Sequence, residues 1–131
     1  MTKNLILFVL IIGLVITSCH KENQGQNIYV KNNSSEAIYY LESFSFPDST
    51  LKGNEIEKPG EGDKIKPSEE GAIIAGRGVF GLNATFQVFI FSADTIEKEP
   101  WDTIVAQYKI LKRYQFTETD LETSNWTVTY P

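Results

Sequence analysis

The sequence predicts a mainly β fold, a single antiparallel β-sandwich with one or two short helices near the C-terminus. Apolar side chains alternate with polar ones over several short segments, the two-residue period of β-strands. Glycine, proline and asparagine separate these segments, as turns require. Residues 28–131 suffice for one hydrophobic core and are too few for two domains. Around seven strands at this length favour an Ig-like or similar topology.

The N-terminal part of this domain contains two β-rich runs, residues 28–31 and 37–46, around a polar "NNSS" connection. This arrangement predicts a hairpin. Residues 52–68 are rich in glycine, proline and alternating charges, which predicts a loop with at most a short edge strand. In "ATFQVFIFS" the side chains of Phe86, Val88 and Ile90 alternate with their neighbours, which predicts a strand.

The C-terminal third is predicted to contain helix and strand in alternation. After Pro100, one apolar face with helical spacing predicts a short helix, and its members are Trp101, Ile104, Val105 and Tyr108. Residues 110–116 favour a strand. Thr119 and Glu122 stand in capping-box register and indicate a second short helix or turn. "NWTVTYP" alternates again and predicts a closing strand with one face in water.

The first 18 residues have the pattern of a cleaved signal peptide. One positive charge at Lys3 precedes the unbroken apolar run 5–16, and small residues close it. The run is shorter than the roughly 18 to 20 residues that a membrane-spanning helix requires, so a permanent span is the weaker interpretation.

The end of the apolar run, Ile16-Thr17-Ser18-Cys19, resembles a lipobox of the relaxed form found in Bacteroidota. The resemblance implies that Cys19 is lipidated and becomes the first residue of the mature chain. Cys19 is the only cysteine, so a free thiol without an intramolecular partner is the alternative. Several acyl chains on one residue anchor a protein stably, so the membrane is a predicted partner through Cys19.

Residues 19–27 are polar and are predicted to form a flexible tether, followed by the folded domain 28–131. The charges at Lys21 and Glu22 resemble the tethers that direct Bacteroidota lipoproteins to the cell surface. We therefore expect an outer-membrane lipoprotein that faces outward, with the periplasmic face as the alternative. The net charge of −5 makes nucleic acid a poor partner.

Gly76, Gly78 and Gly81 have the G-x-G-x-x-G spacing of a dinucleotide-binding loop. That loop needs a helix after the glycines, whose N-terminus holds the pyrophosphate. Here a strand is predicted next, so we interpret these glycines as a turn or bulge. We therefore expect no nucleotide partner and no cofactor.

The sequence offers few candidates for catalysis, and we predict that the chain is not an enzyme. Its only histidine, His20, lies in the tether, which excludes a Ser-His-Asp triad and a histidine metal site within the domain. Paired carboxylates of the kind that glycosidases use occur in or beside the loop, and they are Glu61, Asp63, Glu69 and Glu70. Solvated surface charge is the simpler interpretation. No calcium-loop pattern is present, and we expect no metal.

Three short motifs resemble the D-[ST]-[AILVMT] acceptor of the O-glycosylation system of Bacteroides-type bacteria. They place the candidate acceptor hydroxyls at Ser49, Thr95 and Thr103. The first two fall in predicted loops, whereas Thr103 fits the start of a helix equally well. The asparagine sequon at Asn83 is interpreted as chance.

The C-terminal segments "WDTI", "LKRY", "DL" and "NWTVTYP" resemble those of small lipoproteins of Bacteroidales. This resemblance implies an exported β-rich domain and brings no catalytic residues. We therefore expect a non-catalytic binding or structural module of the cell envelope, whose partner is a glycan or another envelope protein. Aromatic residues make up 12% of the chain and favour a glycan-binding alternative, with Tyr39, Trp101 and Trp126 as candidate contacts. A carboxylate-based hydrolase is a more distant third.

Overall fold

A computed structural model describes residues 27–44, 49–51, 56–74 and 85–131, and it confirms a mainly β fold. The described residues form seven strands in two sheets. The strands are β1 (Asn27–Asn32), β2 (Ile38–Ser43), β3 (Lys64–Ile65), β4 (Glu70–Ile74), β5 (Phe86–Ser92), β6 (Lys112–Phe116) and β7 (Thr127–Tyr130). The short edge strand expected within the charged loop is β3.

The two sheets contain three and four strands, in the orders β4-β1-β7 and β3-β2-β5-β6. Every pair of neighbouring strands is antiparallel except one. β1 and β7 run parallel, with Val30 opposite Val128. The sandwich is therefore not purely antiparallel, because the first and last strands of the domain lie side by side and point the same way.

The described residues contain three short α-helices, where one or two were expected. They are α1 (Ala93–Lys98), α2 (Trp101–Gln107) and α3 (Glu118–Thr123), and a 3-10 helix spans Glu61–Asp63. α2 follows Pro100 and buries Ile104, as its apolar spacing predicts. α1 was not predicted; it begins directly after β5 and buries Ala93 and Ile96.

Two hydrophobic clusters lie on opposite faces of the four-stranded sheet. The first fills the space between the two sheets and includes Val30, Val88 and Val128. The second lies between the four-stranded sheet and the helices α1 and α2, and includes Phe89 and Ile104. This explains why every residue from 86 to 91 is buried.

The three-stranded sheet has the water-exposed face that alternation predicts. In β1 the residues alternate between exposed and buried, and Tyr29 is 37% exposed on the outer face. In β7 Val128 is buried and Tyr130 packs against the same cluster, as does Trp126 just before the strand. The expectation of one wet face therefore holds for this sheet alone.

The predicted hairpin between the first two strands is wrong, because β1 and β2 belong to different sheets. The connection is organised by the buried side chain of Asn32. Its Nδ2 donates to the carbonyl oxygens of Glu36 (2.7 Å) and Ile65 (3.1 Å), and its Oδ1 accepts from the amide and hydroxyl of Ser34. These bonds satisfy backbone polar groups in a loop that crosses from one sheet to the other. A tight turn between two paired strands would not need them.

Candidate functional site

The edge strand β6 presents a row of side chains at the side of the sandwich, which we call the β6 ladder: Lys112, Tyr114 and Phe116. The rings of Tyr114 and Phe116 are stacked, with centroids 5.8 Å apart and an angle of 19° between their planes. The Nζ of Lys112 lies 4.9 Å from the centroid of the Tyr114 ring. These residues alternate along one strand, so they share a face of the sheet.

The ladder is held in place by β5 and β7. Tyr114 and Phe116 lie opposite Val88 and Phe86 in the β5 register, and both rings pack partly against the first core cluster. The Tyr114 hydroxyl donates to the carbonyl oxygen of Thr129 at 3.0 Å. The edges of the two sheets therefore meet at the ladder.

Two further partly buried aromatic residues lie near the C-terminus. Trp126 and Tyr130 pack against the same core cluster as Tyr114 and Phe116. Burial raises the pKa of Tyr114, and the nearby Tyr130 raises it further. Partly buried rings beside a lysine suit contact with sugar rings, which combine apolar C–H faces with hydroxyl groups.

The sequence predicts a strand that contains Tyr114 and Phe116, but these two residues are not among the predicted ligand contacts. The alternation of Lys112, Tyr114 and Phe116 along one face was readable from the sequence. That β6 lies at the edge of its sheet was not, because strand order depends on long-range pairing.

The aromatic residues predicted as ligand contacts are not brought together. Tyr39 is only 2% exposed and belongs to the second core cluster. Trp101 packs against that cluster edge-on to Phe91, with centroids 5.7 Å apart. Trp126 packs against the first cluster, on the other side of the four-stranded sheet. The three do not form one surface.

A polar cluster surrounds the hydroxyl of Tyr39. This hydroxyl lies 3.3 Å from Glu61 Oε1 and 3.3 Å from Glu97 Oε1, and Glu97 is paired with Lys64. Burial raises the pKa of Tyr39, and the Glu61 carboxylate adds to this. The hydrogen bond from Lys64 lowers the pKa of Glu97. The cluster links β2 to the 3-10 helix and to α1 through the Tyr39 hydroxyl, and it links β3 to α1 through Lys64.

The other predicted carboxylates have separate surroundings. Asp63 accepts a hydrogen bond from the Gly60 amide at 2.8 Å and so caps the 3-10 helix. Glu69 and Glu70 are exposed at the start of β4. Within the described ranges, no group of three or more His, Cys, Asp or Glu side chains is arranged to hold a metal ion.

The candidate acceptor hydroxyls lie in different settings. Ser49 is half-buried, and its carbonyl oxygen accepts a hydrogen bond from Tyr108 at 2.7 Å. Thr95 lies in α1 and not in the predicted loop, because the residues after Ser92 continue as a helix. Thr103 lies in the first turn of α2, and both threonines are half-buried.

Several predicted features lie outside the described residues. They are the signal peptide 1–18, residues 19–26 of the tether with Cys19, Asp48 of the first acceptor motif, and the glycines Gly76, Gly78 and Gly81. Among the described residues, the first element after those glycines is β5, a strand as expected. In the part of the chain that is described, no helix combines the length and the apolar character needed to cross a bilayer.

Comparison with known proteins does not assign this chain to a family. No family model matches it, and neither a curated protein nor a solved structure is significantly similar. A functional proposal must therefore rest on the residues and contacts of this chain.

Proposed function

We propose that this chain is an envelope lipoprotein of the Bacteroidales type, held in the outer membrane by acyl chains on Cys19. The support is the sequence: a short apolar run with small residues at its end, a single cysteine, and a polar tether before the folded domain. The charged residues after Cys19 favour the cell surface over the periplasmic face.

The domain acts in this proposal as a non-catalytic binding module. Two of the four candidate carboxylates, Glu61 and Asp63, already have partners within the fold, and Glu69 and Glu70 are exposed side by side at the start of β4. Glu97 is paired with Lys64, and Asp63 caps its own helix. Glu61 contacts the hydroxyl of the buried Tyr39. Hydrolysis would need one carboxyl group as acid and another as base or nucleophile, both facing the bond to be cleaved.

The β6 ladder is the proposed ligand-contact surface, and a glycan is the ligand class that it favours. The observation that carries this proposal is the pair of stacked, partly buried rings of Tyr114 and Phe116 on an edge strand, with Lys112 beside them. Aromatic rings contact the C–H faces of sugars, and a lysine adds hydrogen-bond donors for hydroxyl groups. An envelope protein partner at the same surface is the alternative.

A glycan array probed with the mature chain, purified from membranes in detergent, tests this proposal. We expect saturable binding to a subset of glycans. Tyr114→Leu and Phe116→Leu keep apolar contact with the core but remove a ring, and each should reduce binding about tenfold. Tyr29→Leu is the matched control, because Tyr29 is an exposed tyrosine on the outer face of the other sheet.

Binding that survives both ladder substitutions would place the glycan elsewhere. Absence of binding to every glycan, with capture of an envelope protein that depends on Tyr114, would favour the alternative partner.

A further inference from the structure

Arg113 lies on the face of β6 opposite the ladder and is half-buried. Its neighbour across the sheet is Phe89, with Leu41 beyond it on β2. Along the chain, the residues two positions away are Gln115 in β6 and Leu111 just before it, which is 50% exposed. None of these neighbours is acidic.

The guanidinium group of Arg113 is held by two amide side chains. Its Nη1 donates to Oε1 of the buried Gln87 at 2.8 Å. With the amide oxygen of Gln115 facing it, that oxygen accepts from Nη2 at 2.7 Å and from Nη1 at 3.2 Å. Both acceptors are neutral, whereas the guanidinium is a positively charged donor.

The N–H groups of Arg113 that do not take part in these bonds lie on one edge of the guanidinium plane. Nη1 lies on the Cδ side, and Gln87 and Gln115 take its hydrogens, while Gln115 also takes the adjacent hydrogen of Nη2. The two remaining N–H groups, on Nε and on the outer side of Nη2, are parallel. This is the edge that binds the two oxygens of a carboxylate.

No carboxylate of the described part of the chain occupies that edge. The ion pairs there join Lys64 to Glu97, Lys98 to Asp94 and Lys109 to Glu99. The chain has 17 acidic and 12 basic residues, so carboxylates are in excess. Partly buried charges are usually paired with an opposite charge. Arg113 is instead oriented by two neutral amide groups. None of the ion pairs within the described ranges uses its carboxylate-binding edge.

We propose that Arg113 is an anion subsite that binds the carboxylate of an acidic sugar, such as a uronic acid. The sugar assignment rests on the proposed function, because the ladder occupies the other face of the same edge strand. A chain of sugars lying along the rim of β6 contacts Tyr114 on one face and Arg113 on the other. The bidentate edge then selects acidic over neutral glycans.

Two titrations test this subsite on the mature chain. In the first, the Nε–H resonance of Arg113 is followed by NMR with sodium acetate against sodium chloride at equal ionic strength. In the second, trigalacturonic acid is compared by calorimetry with its methyl ester, which has the same sugars without the charge. We expect a saturable shift with acetate alone, and about tenfold tighter binding of the acid than of the ester.

Three variants separate the subsite from general charge. Arg113→Lys keeps one positive charge and a donor for Gln87, but it lacks the bidentate edge. Gln115→Glu places a carboxylate beside the guanidinium and neutralises it with almost no change in shape. Both should make the acid and the ester bind equally. Lys66→Gln, an exposed residue outside these contacts, removes one charge and should change nothing.

Equal shifts with acetate and chloride, or equal affinity of the wild type for acid and ester, would overturn the subsite. Binding of both sugars that still depends on the ladder would leave the proposed function intact. An acidic peptide that binds through Arg113 more tightly than trigalacturonic acid would overturn the sugar assignment and identify a protein partner.

Discussion

At the scale of single residues, Gly71 of β4 shows how closely the two sheets approach each other. A Cβ atom at this position would lie 2.7 Å from Cε1 of Tyr40 and 2.9 Å from Cδ1 of Ile65, both in the opposite sheet. Tyr40 cannot easily move away, because it is 4% exposed and its hydroxyl donates to the Ala72 carbonyl oxygen at 3.1 Å.

Gly71→Ala should therefore lower the free energy of unfolding by about 1–3 kcal/mol, the usual cost of overfilling a packed core. Denaturant unfolding of the two proteins measures this difference. Gly62→Ala is the control, because nothing lies within 4 Å of a Cβ atom at Gly62. A Gly71→Ala protein as stable as the wild type would show that the sheets separate easily at this point.

Tyr39 is the residue that should make the fold sensitive to alkaline pH. Its pKa is raised above the usual 10.0, by burial first and then by Glu61. The folded state therefore holds the phenolic proton more tightly than the unfolded state does. The resulting stabilisation is fully present below pH 10.0 and is lost as the pH rises through the pKa of the folded protein.

Tyr39→Phe should make unfolding less dependent on pH above about 10, because one ionising group is gone. At neutral pH it should cost about 1 kcal/mol, since the hydrogen bonds to Glu61 and Glu97 are lost. Tyr29→Phe removes an exposed hydroxyl and serves as the comparison. An alkaline unfolding curve of Tyr39→Phe that superimposes on that of the wild type would contradict this assignment.

At the scale of secondary structure elements, α3 has a cap that its sequence only partly reveals. The N-cap is Thr117, whose hydroxyl accepts from the Asp120 amide at 3.2 Å, while the Asp120 carboxylate accepts from the Thr117 amide at 2.8 Å. The hydrogen bond that the Thr117 amide donates to the carboxylate lowers the pKa of Asp120, and one from the Thr117 hydroxyl lowers it further. The capping box was predicted two residues further along, at Thr119 and Glu122. Both pairs have the same spacing, so the spacing alone does not distinguish them.

Thr117→Ala should destabilise the protein by about 1 kcal/mol, the usual cost of losing a hydroxyl N-cap. Thr119→Ala should stay within about 0.5 kcal/mol of the wild type, because alanine is a better helix former than threonine and the Thr119 hydroxyl makes no cap. Thermal unfolding of both variants decides between the two registers. If Thr119→Ala is less stable than Thr117→Ala, the cap is at Thr119, as predicted from the sequence.

Individual elements were more predictable than their pairing. The spacing of Trp101 and Ile104 predicts α2, and the alternation of Phe86, Val88 and Ile90 predicts β5, because both patterns depend on near neighbours. The neighbours of β1 are distant: β4 and β7 pair with it, and Asn32 directs the chain away from the hairpin. No local pattern contains this information.

At the scale of the whole molecule, the sandwich has two different outer layers. One is the exposed face of the three-stranded sheet, and the other consists of α1 and α2 over the second core cluster. β6 forms one edge of the four-stranded sheet, where Lys112 and Gln115 are exposed. The candidate site depends on this arrangement, so it could not be predicted from composition; the aromatic residues that the sequence indicated include the buried Tyr39.

The most direct test of the account is the chemical state of Cys19 in the mature protein. Mass spectrometry of the N-terminal peptide from membranes of a Bacteroides-type host should find a chain that begins at Cys19 and carries a diacylglyceryl thioether. In Cys19→Ala, the chain should stay uncleaved or leave the membrane fraction. An unmodified Cys19 within an intact N-terminal segment, or mature-sized Cys19→Ala protein in the outer membrane, would contradict the lipoprotein assignment.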